Sequence, residues 1–263
     1  MLIRFLEPDK PIWQRVTALE VIHQLCANPE LLAWLSESFD MVPNSTKVFQ
    51  DLVSSVGVYI RSVVDDASRT EKFQIDVPRT ITKGTYIEML EKSEAPPITD
   101  GYGVSVAFGC LLDTIKSISS LVTVPLPGQH STIAEDDAGS DGHMAVMKVM
   151  VTSSYSGLIS ALSLLLERSD TPTVIEPILK AFTSFVRVCG VLKLPQQRDS
   201  LLMVVARNAH PKDFTITSDI SVRSWQVSDK NLQCAHGLAN TALCLGSVMD
   251  GGWRIRAARP RRT

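Results

Sequence analysis

Hydrophobic residues recur at three- and four-residue spacing along most of the chain, a period that predicts helices. From Asp9, a candidate cap, and Pro11, suited to a first turn, the residues Ile12, Val16, Leu19, Ile22 and Leu25 keep that spacing. Asn28-Pro29 stops this helix and caps a second one carrying Leu31, Leu32 and Leu35. Ser45 opens a third, with Val48, Phe49, Leu52, Val56, Tyr59 and Val63 on one stripe. The period is lost from Asp65 to Gly84, which reads as a loop, and Thr85 to Lys92 reads as a short helix ended by Ala95-Pro96-Pro97. Asp100 then caps a longer helix whose Val104, Ala107, Phe108, Leu111, Leu112, Ile115 and Ile118 face a core.

Val124 to Gly142 mixes Pro125, Pro127, Gly128, Gly139 and Gly142 with Glu135, Asp136, Asp137 and Asp141, the composition of an acidic flexible linker. Four more helices are expected near 143–168, 172–192, 196–209 and 229–248, with Pro172 and Pro195 close to two of the starts. Between the last two, Phe214 to Val227 alternates enough to suggest a strand pair, but an irregular crossing loop is the preferred reading.

The expected fold is therefore all-α: an α-solenoid of armadillo/HEAT-like helical repeats with two long flexible linkers. One helical hairpin cannot bury its apolar face alone, so neighbours stack, and helix pairs recurring on the order of every 40 residues suit such units. The expected organisation is a helical-repeat segment over 1–64, a loop over 65–84, a helical segment over 85–123, and the acidic linker over 124–142. A second helical-repeat segment covers 143–253, and a basic, disordered tail covers 254–263.

Composition narrows the function classes. At 44% hydrophobic and 21% charged residues the 263-residue chain is globular in character, and 6% aromatics favour helices over a sandwich or barrel. The net charge of −2 hides an asymmetry. The last ten residues hold five arginines and no acid; 26 bases less those five leave 21 against 28 acids, a body of net −7. An acidic body argues against a broad nucleic-acid footprint. The apolar start stops after six residues and does not read as a signal peptide. The most apolar runs, Val104 to Leu112 and Leu158 to Leu166, fall short of the roughly 18 residues of a membrane span, so membrane contact is expected to be peripheral.

No catalytic, cofactor-binding or metal-binding residues emerge. Cys26, Cys110, Cys189, Cys234 and Cys244 are odd in number, widely spaced and set in helical apolar patterns, which points to thiols packed in a core. An EF-hand loop begun at Asp137 places Lys148 where a bidentate carboxylate belongs, so the stretch reads as a solvated acidic loop. Gly101-Tyr102-Gly103 is followed by Val106 where the dinucleotide fingerprint needs Gly, and capping accounts for these glycines. His23, His130, His143, His210 and His236 are scattered, and no nucleophile elbow accompanies them. No enzymatic site, cofactor or small-molecule substrate is expected.

Several stretches together resemble the Mon-two family, large relatives of the Sec-seven Arf exchange factors that lack the catalytic Sec-seven domain. The resemblance rests on Leu2-Ile3-Arg4-Phe5-Leu6-Glu7-Pro8 running on through Arg15, Ser45-Thr46-Lys47-Val48-Phe49, Thr85 to Lys92, Gly101 to Phe108 and Cys110-Leu111-Leu112-Asp113. It continues through Gly157 to Leu166, Arg198-Asp199, Lys230-Asn231-Leu232-Gln233-Cys234, and Gly246 followed by Trp253. It spans most of residues 1–253 in order and weakens at 65–84 and 124–142.

The resemblance implies a non-catalytic scaffold on the cytoplasmic face of the Golgi, trans-Golgi network and endosomes, and in the cytosol. The family acts in endosome-to-Golgi and other vesicle traffic, with Dopey-type proteins and Arf-like GTPase machinery as partners. It offers no catalytic residues to transfer. Family chains extend far on both sides, so this chain reads as an internal fragment, and its arginine-rich tail, which departs from the family's apolar helix, as non-native. The alternative is a regulatory segment of a genuine Arf exchange factor. A third reading, nucleic-acid binding through the tail, predicts salt-dependent binding lost with Arg254–Thr263.

Overall fold

A computed structural model describes residues 2–67, 98, 101–122, 137–210 and 227–246. Eight α-helices run through the described residues, with no strand among them: α1 (Ile12–Cys26), α2 (Pro29–Leu35), α3 (Val48–Ala67), α4 (Tyr102–Leu121), α5 (Asp137–Arg168), α6 (Pro172–Val191), α7 (Pro195–Ala209) and α8 (Asp229–Leu245). A 3₁₀ segment (Leu2–Leu6) precedes α1, and a π-helical turn (Ser36–Asp40) extends α2. The all-α expectation holds. Two compact units divide the chain, Met1–Leu165 and Leu166–Thr263.

In the first unit α4 is the central helix, packed against α1, α2 and α3. Val104, Val106, Ala107, Phe108, Cys110, Leu111, Ile115 and Ile118 are all buried around its circumference. That is why α4 carries no single apolar stripe: a helix covered on several sides needs apolar residues all round. α1 meets it through Val16, Leu19, Ile22 and Cys26, and α3 contributes Phe49, Leu52, Val53, Val56, Tyr59 and Ile60. Val48 and Val63, expected on that stripe, lie at its edges and are half-buried.

The helix starts show how local chemistry refines the sequence boundaries. Asn28 caps α2 as expected, its side chain accepting the Leu31 N–H at 3.1 Å with Pro29 in the first turn. Asp9 does not cap α1; Pro11 takes that place without a side-chain hydrogen bond. Nor does Ser45 open α3. Asp40, at the end of the π turn, reaches forward instead, Oδ1 accepting from Phe49 N and Oδ2 from Gln50 N, both at 3.0 Å. A carboxylate there meets both the orphan donors and the positive end of the helix dipole.

α5 begins at Asp137, six residues inside the stretch expected to be a linker. The two apolar runs judged too short to span a membrane belong to longer helices. Tyr102–Leu121 and Gly142–Arg168 are both long and apolar enough to cross one by length and composition, and 61% and 50% of their apolar windows are buried within the fold. In α4 the apolarity is used by packing against three neighbouring helices.

The second unit contains α6, α7 and α8, which pack on one another in all three pairings. Val174, Ile175, Ile178, Phe182, Phe185, Leu201, Leu202 and Cys234 fill its interior. α6 ends in a tight reversal: Leu194 N donates to Cys189 O at 2.8 Å and Lys193 N to Gly190 O at 3.2 Å, with Lys193 at φ 56°. These are the paired bonds of a Schellman cap, with lysine in the left-handed position that glycine ordinarily takes. Pro195 then starts α7. The expected helix over 85–92, most of the 65–84 loop, all of the 214–227 crossing but Val227, and the 254–263 tail lie outside the described residues.

Candidate functional site

The motifs that carry the resemblance lie at helix starts and helix crossings. Gly101-Tyr102-Gly103 opens α4. Gly101 is the N-cap at φ 87°, the left-handed region that favours glycine. The Tyr102 hydroxyl donates to Glu20 Oε1 at 2.7 Å, tying α4 to a buried carboxylate on α1. Gly103 makes room, since a Cβ there would fall on the Tyr59 hydroxyl. Tyr59 is itself capped by the Arg15 guanidinium, 4.6 Å from its ring centroid, and burial pushes its phenol above the ordinary value. Capping accounts for Gly101 alone; Gly103 serves interhelical clearance.

Lys230-Asn231-Leu232-Gln233-Cys234 is a clamp at the start of α8. Ser228 and Asn231 form a reciprocal capping box. The buried Lys230 ammonium donates to Glu167 O at 3.0 Å and Ser169 O at 2.9 Å, with Asp170 Oδ1 at 3.8 Å. It thereby caps the C-terminus of α5, where carbonyls lack partners and the dipole favours a cation. The Asn231 amide donates to Asn208 O at 2.8 Å and His210 O at 3.0 Å, closing the end of α7. Three helix ends are thus joined by two adjacent side chains, which spacing alone could not reveal.

The arrangement nearest to reactive chemistry lies between α1 and α4. His23 Nε2 sits 2.9 Å from Asp113 Oδ2, both side chains partly buried. One turn away, the Cys26 and Cys110 thiols are neighbours inside the core, each influencing the other's ionisation. A thiol, an imidazole and a carboxylate together invite comparison with a nucleophilic triad, which requires the base to reach the nucleophile. Here the Cys110 thiol faces Leu19 O at 3.7 Å, and burial pushes it well above its ordinary value. Its hydrogen-bond partner is a backbone carbonyl and its neighbouring thiol is Cys26; neither is the imidazole. Both thiols are packed in the core, and the His23–Asp113 pair bridges two helices.

The remaining histidines stay apart. His143 lies within α5, its Nε2 3.2 Å from Leu121 O. His210 follows the end of α7, His236 is exposed on α8, and His130 lies outside the described residues. Cys189 is buried and its thiol is pushed up to about 12, chiefly by desolvation; burial also raises Cys234. Cys244 departs from the expectation that every thiol is in the core, for it is exposed on α8. Among the described residues no three His, Cys, Asp or Glu side chains are grouped so as to hold a metal ion. A small cavity of about 10 Å³ in the second unit is lined mainly by apolar side chains such as Phe182, Val186 and Leu202, and one water would fill it.

Comparison with known proteins supplies what the geometry does not. The chain is 28% identical to Protein MON2 homolog of Homo sapiens over 97% of its own length. It is 32% identical to the Drosophila melanogaster homologue over 89%, and 26% identical to Protein MON2 of Saccharomyces cerevisiae over 69%. The chain belongs to the Mon2 family. It spans about a fifth of the human relative (21%), 15% of the fly one and 12% of the yeast one, so it corresponds to one region of much longer proteins. No protein-family model matches the chain, and no solved structure does.

Proposed function

We propose that this chain is a non-catalytic, helical-repeat scaffold region of a Mon2-type protein that works in membrane traffic between endosomes and the Golgi. The observation that carries the reading is the use made of its family-like motifs. Gly101–Gly103, Gly157 and Lys230–Asn231 are spent on helix clearance and helix-end capping. Residues so placed maintain a rigid arrangement of helices, and such an arrangement acts by presenting helix faces and loops to other proteins.

Packing of α6, α7 and α8 on one another supports an armadillo- or HEAT-like array as the finer architecture. By family resemblance the partners would be Dopey-type proteins and Arf-like GTPase machinery. The site of action would be the cytoplasmic face of the Golgi, trans-Golgi network and endosomes, reached by peripheral association of the full-length protein.

The test uses the full-length fly relative in cells. Proximity labelling of the intact protein is compared with a form whose matching region is deleted and one in which this chain replaces that region. The reading expects partner labelling and Golgi association to fall in the deletion and to return in the replacement. A deletion with unchanged partners and location would overturn it.

A further inference from the structure

A short ridge at the end of α2 places an exposed tryptophan where its neighbours define what it can bind. Trp34 is 54% exposed, on a helix whose Leu32 is buried and whose Leu31 and Leu35 are half-buried. Phe39 stands edge-on to it, with ring centroids 6.0 Å apart and planes at 85°. In a regular α-helix two residues five apart point about 140° away from each other and do not meet. The π turn at Ser36–Asp40 changes that register and brings Phe39 beside Trp34. Met41 and Val42 follow at 38% and 44% exposure, so three large apolar side chains are exposed within nine residues, with the half-buried Phe39 among them.

Charge on the ridge has one sign. Glu30 lies one turn before Trp34 and Glu37 one turn after, both exposed and without an ion-pair partner among the described residues. No Lys, Arg or His occurs from Asn28 to Asn44. The nearest cation, Lys47, donates to Asp40 O at 2.7 Å and Val42 O at 3.1 Å. The Asp40 carboxylate is taken up by the start of α3.

We propose that the Trp34 ridge is a docking surface for a cationic segment of a partner protein. An arginine of that segment would lie on the indole face while Glu30 and Glu37 accept its guanidinium or a neighbouring one. Tryptophan gives the strongest cation–π face, and carboxylates take arginine bidentately. Aromatic and Met side chains are enriched in interface cores, and a Trp held by a supporting ring binds with little loss of side-chain freedom. The same carboxylates repel phosphates, which disfavours an anionic membrane or a nucleic acid as the occupant. This surface is independent of the trafficking reading and can fail or stand without it.

The test is fluorescence anisotropy with the full 263-residue chain. The probe is a labelled helical peptide carrying arginines one turn apart beside a leucine stripe. Controls are the same peptide with glutamate for arginine, and phosphatidylserine vesicles. Saturable binding of the arginine peptide is expected, weakened about tenfold or more by Trp34→Ala, the loss typical of an anchoring tryptophan. Glu30→Gln with Glu37→Gln, surface changes that leave the fold intact, should weaken binding severalfold and flatten its salt dependence. Trp13→Ala, at another exposed tryptophan, should bind like the wild type. Absence of saturable binding, equal binding of the glutamate peptide, equal effects of Trp34→Ala and Trp13→Ala, or vesicle capture through Trp34 would each overturn the proposal.

Discussion

Gly57 of α3 and Gly157 of α5 meet with no side chain between them: a Cβ on Gly57 would lie 2.9 Å from the Gly157 carbonyl oxygen. From the other side, a Cβ on Gly157 would come within 3.2 Å of the Ser54 and Val53 backbone. Backbone cannot rotate away as a side chain can, so these helices approach closely because both positions lack a Cβ.

A graded glycine series follows from that crossing. Gly57→Ala should destabilise by about 1–2 kcal/mol, because overpacking outweighs the helix propensity gained. Gly142→Ala, with nothing within 4 Å, and Gly237→Ala, 3.6 Å from Leu179, should each stabilise by up to about 1 kcal/mol. Urea midpoints at constant m-value would check the order. Stabilisation by Gly57→Ala would contradict the close crossing.

The second pair is Gly103 with Tyr59. Gly103→Ala should cost about 1–3 kcal/mol in the wild type, since the new methyl meets the Tyr59 hydroxyl. In a Tyr59→Phe background that hydroxyl is gone, and the cost of the same change should shrink. A double-mutant cycle read by chemical unfolding measures the coupling; additive effects would rule out the contact.

At the α8 clamp, Asn231→Asp keeps the oxygen that accepts from Ser228 but removes the amide donated to Asn208 O and His210 O. A loss of about 1–3 kcal/mol is expected. Lys230→Met should cost a similar amount by stranding the Glu167 and Ser169 carbonyls. Amide exchange should quicken at the ends of α5 and α7 in these variants; exchange accelerated within α8 alone would argue against a clamp.

Thiol chemistry separates the cysteines. Exposed Cys244 should be alkylated first in the native chain, with Cys26, Cys110, Cys189 and Cys234 labelled only on unfolding, as read by peptide mass spectrometry. Cys189 has its folded pKa raised to about 12 from an ordinary 9.0. The unfolded thiol therefore ionises first, and the stability held below pH 9 should be lost as pH rises towards 12. Cys189→Ala should flatten that alkaline decline; an unchanged decline would exclude Cys189 as its source.

The sequence conveyed helix type and order far better than helix purpose. The starts of α6, α7 and α8 fall within one residue of expectation, because Pro172, Pro195 and Ser228 mark them by local chemistry that survives folding. A start that depends on a distant residue is not legible in the sequence: Asp40 reaches nine residues forward to Phe49, and no nearby signal announces it. The pairing of His23 with Asp113, the Gly57–Gly157 crossing and the Lys230 clamp all join residues 60 or more apart. Periodicity carries no information about such pairs. The Trp34 ridge is illegible in the sequence for a related reason: the π turn that sets Trp34 beside Phe39 breaks the helical period.

The central claim is that this region serves by its architecture and not by side-chain chemistry. The most direct measurement is cargo retrieval to the Golgi in cells whose fly relative carries this chain in place of its matching region. His23→Gln with Asp113→Asn, which replaces the arrangement nearest to a reactive site with neutral amides, should retain retrieval, whereas Gly57→Val, which forces α3 from α5, should abolish it. Loss of retrieval with His23→Gln and Asp113→Asn, in a chain whose melting temperature is unchanged, would contradict the account.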